Sequence, residues 1–218
     1  MPSLLHLDSS ADPVDSRSRA VTAAFAAAWR DADPANTVVH RDLHRDPLPH
    51  LADASLHWPV AFRGEVAAPF REAERLQREV LDELLAADVL LVGAPLYNYS
   101  LPSSLKAWVD HIHVPGVTAP FGDVDRPLAG RPAVVVSSRG GSYDEGTPTA
   151  GWDHGVPVLR IILGEALGMD VSVITTNLTL AERLPGLEEQ IPRSRRELAE
   201  AHEAAAALAR TLSASIRA

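Results

Sequence analysis

Five short apolar runs, separated by longer segments with helical periodicity, constrain the fold of this 218-residue chain more than any other feature. The runs are bounded by turn residues and span residues 3–7, 37–41, 88–94, 133–137 and 171–175. A strand that is covered on both faces lacks the polar alternation of a half-exposed strand. Each run is therefore predicted to be a strand of a buried parallel sheet.

The segments between these runs are predicted to be helices, at residues 17–31, 68–87, 103–113, 152–167 and 186–217. Their apolar residues recur at intervals of three and four, which is typical of an amphipathic helix. Regular alternation of strand and helix favours an α/β fold with a doubly wound sheet. We predict a single flavodoxin-like domain over residues 1–218, with five parallel strands in the order 2-1-3-4-5 and helices on both faces.

The composition excludes several classes of function. A net charge of −9 leaves no basic field that would attract a nucleic acid. The chain has no cysteine, which excludes disulfides and thiolate nucleophiles, so any redox chemistry would need a borrowed cofactor. The N-terminus does not resemble a secretion signal, and no segment approaches the ~20 apolar residues of a membrane span. We therefore expect a cytoplasmic protein that does not enter the membrane.

Three loops at the predicted carboxyl ends of strands carry residues suited to a ligand. The first, the serine loop at residues 9–18, offers hydroxyls and a charge at a helix N-terminus, where an anion such as a monophosphate binds well. Its candidate ligands are Ser10, Ser16, Arg17 and Ser18. Ser16 could equally be a simple helix cap that needs no ligand.

The second and third loops suit a flat heteroaromatic ring. The Tyr–Asn turn, residues 97–100, combines tyrosine rings with the amide of Asn98, which could hydrogen-bond the edge of such a ring. The glycine loop, residues 138–141, contains Gly140 and Gly141, whose backbone N–H groups can approach a ligand closely. Taken alone, the glycine pair is also consistent with an ordinary turn.

Together, the segment PLYNYSLPSSLK at residues 95–106 and the segment SRGGSY at residues 138–143 resemble the FMN-dependent NADH azoreductases. These form a bacterial branch of the NAD(P)H quinone oxidoreductase family, and the resemblance covers nearly the whole chain. It implies that the serine-loop residues Ser10, Ser16, Arg17 and Ser18 hold the FMN phosphate. It further implies that the ring is lined by Pro95, Leu96, Tyr97 and Asn98, and approached at its pyrimidine edge by Ser138, Arg139, Gly140 and Gly141.

The resemblance also implies the chemistry. An FMN-dependent enzyme would take a hydride from NADH or NADPH and reduce a quinone or an azo compound by two electrons in a ping-pong cycle. The flavin N5 would carry the reaction, so no protein residue is expected to be catalytic. Tyr99, Phe121 and Tyr143 are the expected contacts of the acceptor, and family members work as homodimers. The inserted pair Ala119-Pro120 before Phe121 departs from the family pattern and is expected to reshape the acceptor side.

Other interpretations stay open at this stage. A flavodoxin-type electron carrier would bind FMN without catalysing turnover, and a flavin-free binding module could retain the fold. Nine histidines are present, but none forms a His-Glu-x-x-His motif, so no metal site is expected. His6 is expected in the core or at a sheet edge, and Asp8, Asp12 and Asp15 as caps or solvated charges. Packing roles are expected for the tryptophans, Trp29, Trp58, Trp108 and Trp152.

Overall fold

The structure is a computed structural model that describes residues 1–64, 69–123 and 125–216. Five strands pair in parallel in the order 2-1-3-4-5, which confirms the predicted fold class and strand order. The strands are β1 (Ser3–Asp8), β2 (Thr37–Asp42), β3 (Val89–Gly93), β4 (Pro132–Ser138) and β5 (Asp170–Thr176).

Five helices flank the sheet: α1 (Arg17–Ala32), α2 (Arg71–Ala86), α3 (Ser103–Ile112), α4 (Val156–Leu159), which continues as a π-helix over Arg160–Ala166, and α5 (Ile191–Ser215). Single turns of 3-10 helix lie at Ala54–His57, Val60–Phe62 and Glu188–Gln190. Among the helices of the described residues, none is both long enough and apolar enough to cross a membrane.

The central strands are buried on both faces, and alternate residues enter two different cores. In β1, Leu4 packs with α1 and α5, whereas Leu5 and Leu7 pack with α2, α3 and the π-helical segment. The residues of β3 alternate in the same way: Leu91 packs in the core that contains Leu4, and Leu90 packs in the core that contains Leu5 and Leu7. This two-sided burial is why the central strands appear in the sequence as continuous apolar runs. The prediction of a buried strand was wrong for β2, at one edge of the sheet, where no residue is buried, and for most of β5 at the other edge.

Three predicted helices begin later than the periodicity indicated. The helix expected from residue 152 starts at Val156, because the carboxylate of Asp153 accepts the N–H groups of Gly155 and Val156 and so precedes the first turn. The last helix starts at Ile191 rather than 186, and its predicted end, residue 217, lies outside the described residues. The predicted start of the second helix, residue 68, also lies outside them, and α2 begins at Arg71.

The expectation that the tryptophans are packing residues is confirmed for two of the four. Trp29 and Trp108 are fully buried, one in each core. Trp58 and Trp152 lie in loops and expose 48% and 47% of their surface, so the prediction was wrong for these two. Trp58 lies between two 3-10 turns and Trp152 lies just before α4, so both are outside the helices and strands that form the cores.

Gly93 at the end of β3 sets how closely β3 approaches β1. A Cβ atom on Gly93 would lie 2.9 Å from Asp8 Oδ1 and 3.3 Å from Thr22 Cγ2. We therefore expect Gly93→Ala to lower the free energy of unfolding by about 1–3 kcal/mol, since overpacking a filled site forces a backbone shift. Gly141→Ala is the matched control, because nothing lies within 4 Å of the added carbon. Urea denaturation of both variants measures the difference, and equal stability would show that this contact is not tight.

Candidate functional site

An open cleft of about 780 Å³ lies at the carboxyl ends of the strands, where the serine loop, the Tyr–Asn turn and the glycine loop meet. This is the edge at which open α/β sheets bind ligands. The cleft is lined by Ser10, Asp12, Val14, Asp15, Ser16, Arg17, Ala20, Pro95, Leu96, Tyr97, Ser138, Gly140, Thr179, Leu180, Glu182, Arg183 and Leu198.

At one end of the cleft, the N-terminus of α1 offers free donors. Ser16 is the N-cap, and its Oγ accepts the N–H of Arg19 at 3.3 Å. The N–H groups of Arg17 and Ser18 donate no hydrogen bond within the part of the chain that the structure describes. Free amides and the positive end of the helix dipole together favour an anion at this position.

The two remaining polar side chains of this turn are less free than the sequence suggested. Ser18 is completely buried, and its Oγ lies 3.1 Å from Ser16 Oγ. Arg17 Nη1 donates to the carbonyl oxygens of Asn177 and Ser194 at 3.4 and 3.3 Å, and burial lowers the pKa of its guanidinium. Arg17 therefore joins the serine loop to the segment after β5 while it lines the cleft.

Arg183 brings a second positive charge to this end of the cleft. Its Nη2 lies 3.4 Å from Asp12 Oδ2 and 3.5 Å from Asp15 Oδ2. Asp12 also accepts the N–H groups of Asp15 and Val14, and these bonds hold its pKa below the usual range. Asp12 and Asp15 thus act as the expected loop cap and surface charge, with Arg183 as their partner. Sequence reasoning missed Arg183, although its position just after β5 places it at the carboxyl edge.

The Tyr–Asn turn is a tight hairpin with two residues in the left-handed region. Tyr97 and Ser100 exchange backbone hydrogen bonds of 3.0 Å, while Asn98 and Tyr99 have φ angles of 49° and 67°. Positive φ at both central positions defines a type I′ turn. Asparagine adopts this conformation readily, whereas a tyrosine rarely does. The backbone at Tyr99 is therefore strained, as is common at functional sites.

Hydrogen bonds link this turn to both neighbouring loops. The Tyr97 hydroxyl accepts the N–H of Ala11 at 3.0 Å and lies 3.1 Å from Ser10 Oγ. On the other side, the N–H of Leu96 donates to the carbonyl of Ser138 at 2.8 Å. These bonds hold the serine loop, the Tyr–Asn turn and the glycine loop at fixed relative positions.

The glycine loop is joined to the segment that follows β5. The N–H groups of Thr179 and Leu180 donate to the carbonyls of Arg139 and Gly140, at 3.0 and 3.3 Å. A Cβ atom on Gly140 would lie 2.9 Å from Leu180 Cδ1, so the close approach favours glycine. Among the described residues, the N–H groups of Gly140 and Gly141 have no acceptor. They are available as donors to a ligand.

The side chain of Arg139, which follows the cleft-lining Ser138 in the chain, takes part in a different cluster. Its Nη2 lies 2.5 Å from Asp153 Oδ2, and its guanidinium lies 5.9 Å from the ring centre of Tyr143. The Tyr99 ring meets Trp152 edge to face at 5.3 Å. Burial raises the pKa of the Tyr143 hydroxyl, and the nearby Tyr99 and Asp153 raise it further. Tyr99 and Trp152 therefore form an aromatic pair, and Tyr143 lies near Tyr99 over Arg139. We call these three rings the aromatic wall, in which Trp152 was not anticipated.

Phe121 does not join this wall in the described part of the chain. It packs edge to face against Phe62 at 5.7 Å, and both rings remain partly exposed. The inserted pair before it folds into a turn, in which Ala119 is buried and its carbonyl accepts the N–H of Gly116 at 2.8 Å. Phe121 thus contacts the loop between β2 and α2.

The predicted site residues thus fall into two groups. Those that line the cleft are Ser10, Ser16, Arg17, Pro95, Leu96, Tyr97, Ser138 and Gly140. Those that do not line it are Ser18, Asn98, Tyr99, Phe121, Arg139, Gly141 and Tyr143. The principal additions are Thr179, Leu180 and Arg183, all from the segment after β5.

A buried charged network lies directly beneath the serine loop, and it corrects the expectation that Asp8 is a cap or a solvated charge. Asp8 is only 5% exposed and accepts hydrogen bonds from Thr22 at 2.9 Å and from His40 at 3.0 Å. Burial alone would raise the pKa of Asp8, but these bonds and the adjacent His6 hold it well below the usual range.

Arg19 connects this network to the cleft. It forms a two-pronged ion pair with Asp42 at 2.7 and 2.8 Å, which lowers the Asp42 pKa to about 2. The same guanidinium donates to the carbonyl of Ser10 at 2.7 and 3.2 Å. Hydrogen bonds from a charged group are stronger than those between neutral groups, so Arg19 fixes the first residues of the serine loop.

Known proteins resemble this chain over almost its whole length. A family model described as flavodoxin-like fold matches residues 2–207. A protein of Kineococcus radiotolerans named FMN-dependent NADH:quinone oxidoreductase is 62% identical over 212 residues, covering 97% of this chain and 100% of that protein. A protein of Streptomyces avermitilis with the same name is 40% identical over 222 residues, covering 97% of both.

Solved structures share the fold at lower identity. An azoreductase from Bacillus anthracis superposes with a TM-score of 0.79 at 22% identity, covering 97% of this chain and 100% of that one. An FMN-dependent NADH-azoreductase from the same species, solved with FMN, gives a TM-score of 0.75 at 22% identity, covering 96% and 100%. The chain belongs to the flavodoxin-like family, in the group of bacterial proteins named FMN-dependent NADH:quinone oxidoreductases.

Proposed function

We propose that this protein is an FMN-dependent oxidoreductase that uses NADH to reduce quinones, and azo compounds as well, by two electrons in a ping-pong cycle. The observation that carries the proposal is two sets of free amides at the cleft: those of Arg17 and Ser18 in the first turn of α1, and those of Gly140 and Gly141 in the glycine loop. A relative with 62% identity that is named for this activity supports an enzyme over a non-catalytic electron carrier.

The donors of the cleft match the chemical groups of FMN. Its phosphate would lie at the N-terminus of α1, held by free amides, the hydroxyls of Ser10 and Ser16, and the charge of Arg17. Pro95, Leu96 and Tyr97 would provide the surface against its ring. Asn98 of the Tyr–Asn turn would lie at the edge of the ring. The amides of Gly140 and Gly141, within the loop from Ser138 to Gly141, would donate to the pyrimidine edge.

When bound, FMN supplies the two-electron chemistry between the nicotinamide and the acceptor. The protein's own groups bind and orient. The amides of Gly140 and Gly141 would stabilise negative charge on the ring, and they would need little reorganisation because the glycine loop is held by its bonds to Thr179 and Leu180. Arg139 would hold the loop in place, since its side chain is paired with Asp153 and its backbone N–H and carbonyl bond Thr176 and Thr179.

The aromatic wall beside the Tyr–Asn turn and the glycine loop would bind the acceptor. Tyr99, Tyr143 and Trp152 present rings to a planar substrate, which gains affinity by stacking without selecting one chemical structure. Phe121 is a further candidate contact, but it lies with Phe62 outside the cleft. It would reach an acceptor only where a second subunit covers this surface.

We include a homodimer and a cytoplasmic location in the proposal. Phe62 and Phe121 pack together while exposing 39% and 44% of their surfaces, and Trp58 and Val60 of the same loop region are also exposed. A concentration of exposed apolar side chains is typical of a protein interface. The nicotinamide donor is a cytoplasmic metabolite, which supports the location. We further propose that residues 1–218 act as one FMN-binding domain.

The identity of the cofactor is the direct test of this proposal. Mass analysis of the small molecule released from the denatured protein is expected to find FMN and not FAD, because the serine loop offers one anion site and the Gly-x-Gly-x-x-Gly turn that cradles a pyrophosphate is missing from the sequence. Cofactor-free protein reconstituted with FMN should then oxidise NADH with a quinone. Stoichiometric FAD, or a colourless protein that takes up no flavin, would contradict the proposal.

The phosphate position can be tested apart from folding stability. Ser16→Gly removes the hydroxyl but keeps most of the N-cap, whereas Ser16→Ala removes both. We expect both variants to bind FMN roughly 10- to 100-fold more weakly, because a hydrogen bond to a charged group contributes about 1.5–3 kcal/mol. Only Ser16→Ala should also lose about 1 kcal/mol of stability in the cofactor-free state. Unchanged FMN affinity in fluorescence titrations of both variants would mean that the phosphate lies elsewhere.

Steady-state kinetics should reveal one site used in turn by donor and acceptor. Double-reciprocal plots with NADH and a quinone are expected to be parallel, since both partners need the same position about 3–3.5 Å from the reacting atom. Tyr143→Leu should raise the quinone KM roughly two- to tenfold through lost stacking, while Tyr143→Phe, which keeps the ring, should not. Intersecting lines would instead indicate two separate sites.

A further inference from the structure

His6, Asp8 and His40 converge on one point beneath the serine loop. The strands β1 and β2 pair in parallel with His6 opposite His40, and Asp8 lies two residues beyond His6. Residues at this spacing share one face of the sheet. Asp8 Oδ2 lies 3.3 Å from His6 Nε2 and 3.0 Å from His40 Nε2, and the two imidazole rings are 4.5 Å apart.

His6 leaves a polar atom without a partner in this cluster. The residue is 5% exposed, and its Nε2 is buried with no hydrogen-bond partner among the described residues. Its approach to Asp8 Oδ2 does not have the geometry of a hydrogen bond, although the separation is short. A buried polar atom left unpaired costs about 1–3 kcal/mol, so such an atom in a native structure calls for an explanation.

We propose that His6, Asp8 and His40 form a binding site for a divalent transition-metal ion of the zinc class. The three ligand atoms all lie within 4.8 Å of one another. Zinc bound tetrahedrally at about 2.0–2.2 Å keeps its ligand atoms roughly 3.3–3.6 Å apart, close to the 3.3 and 3.0 Å that separate Asp8 Oδ2 from the two imidazole nitrogens. The ion would displace to solvent the proton that His40 Nε2 donates to Asp8, since only the neutral nitrogen ligates a metal. Two imidazoles and one carboxylate leave a fourth position for water, and the 44% exposed side chain of His40 gives the ion a route from solvent.

The surroundings orient the carboxylate for this role. Thr22 Oγ1 donates to Asp8 Oδ1 at 2.9 Å, which leaves Oδ2 turned toward the two histidines. Such an outer hydrogen bond is what fixes a ligand around a metal. The positive charge of Arg19 would repel a cation at this site, because its Nη1 lies 3.7 Å from Asp8 Oδ2. That charge is compensated by the much shorter ion pair with Asp42 at 2.7 Å.

The ion would join the edge strand β2 to the central strand β1 immediately before the serine loop. The ion would have a structural role and take no part in electron transfer. The site is independent of the proposed FMN chemistry. The chain has no cysteine, so thiolates cannot compete for the ion. A metal held here would stabilise the folded state, since binding to the native form alone raises its stability by mass action.

The test is a calorimetric titration of metal-free, untagged protein in its flavin-loaded form with Zn²⁺ alone. We expect one ion per chain, together with a rise in Tm on addition of Zn²⁺. His40→Gln and His6→Gln should each weaken Zn²⁺ binding roughly tenfold or more, at least as much as losing an outer-sphere partner does. His57→Gln is the matched control, because that histidine is exposed in the 3-10 turn Ala54–His57. The Zn²⁺ affinity of this variant should equal that of the unmodified protein.

The outcomes separate the possibilities. Because His40 is partly exposed, its variant should fold even where the buried His6→Gln does not, and far-UV circular dichroism would verify this. Zinc-edge anomalous diffraction from soaked crystals is expected to place the ion between β1 and β2. Failure to bind Zn²⁺, or binding that survives both substitutions at His6 and His40, would overturn the proposal while leaving the flavin assignment untouched.

Discussion

The central strands of the sheet are buried on both faces and present polar side chains to solvent mainly where they end, and this constraint organises the molecule. Alternate residues of β1 and β3 enter two separate apolar cores, so the groups free to meet a ligand in the cleft gather at the carboxyl ends of these strands. All five strands run the same way, which brings their carboxyl ends to one edge. The serine loop, the Tyr–Asn turn and the glycine loop therefore meet in one cleft, although they are far apart in the chain.

The loops hold their positions because backbone and side-chain hydrogen bonds connect each to the next. The Tyr97 hydroxyl bonds the serine loop, the amide of Leu96 bonds β4, and the segment after β5 bonds the glycine loop. A cleft made this way is preorganised, since its donors need not move to meet a ligand. The strained backbone at Tyr99 is consistent with this arrangement, because the surrounding contacts hold it in a conformation that it would not adopt alone.

Beneath the cleft, Asp8 is a buried carboxylate that requires partners. Thr22 from α1 and His40 from β2 donate to it, and Gly93 of β3 leaves room for it. Removing one partner from such a group is costly, since the charge would remain buried and unpaired. The same residue thus joins three elements of the fold and stands next to the loop that would bind a phosphate. Stability and the geometry of the site are coupled at this position.

The sequence by itself determined the fold class, the strand order and the loops that form the site. Apolar runs and helical periodicity are local consequences of burial, and the rules of parallel topology then allow few arrangements. It could not reveal that the Arg139 side chain turns to Asp153, that Ser18 is buried, or that Leu180 and Arg183 line the cleft. Nor could it bring His6 and His40 together. Those facts depend on strand register and on which partner each polar group finds, and only the tertiary structure decides such contacts between distant residues.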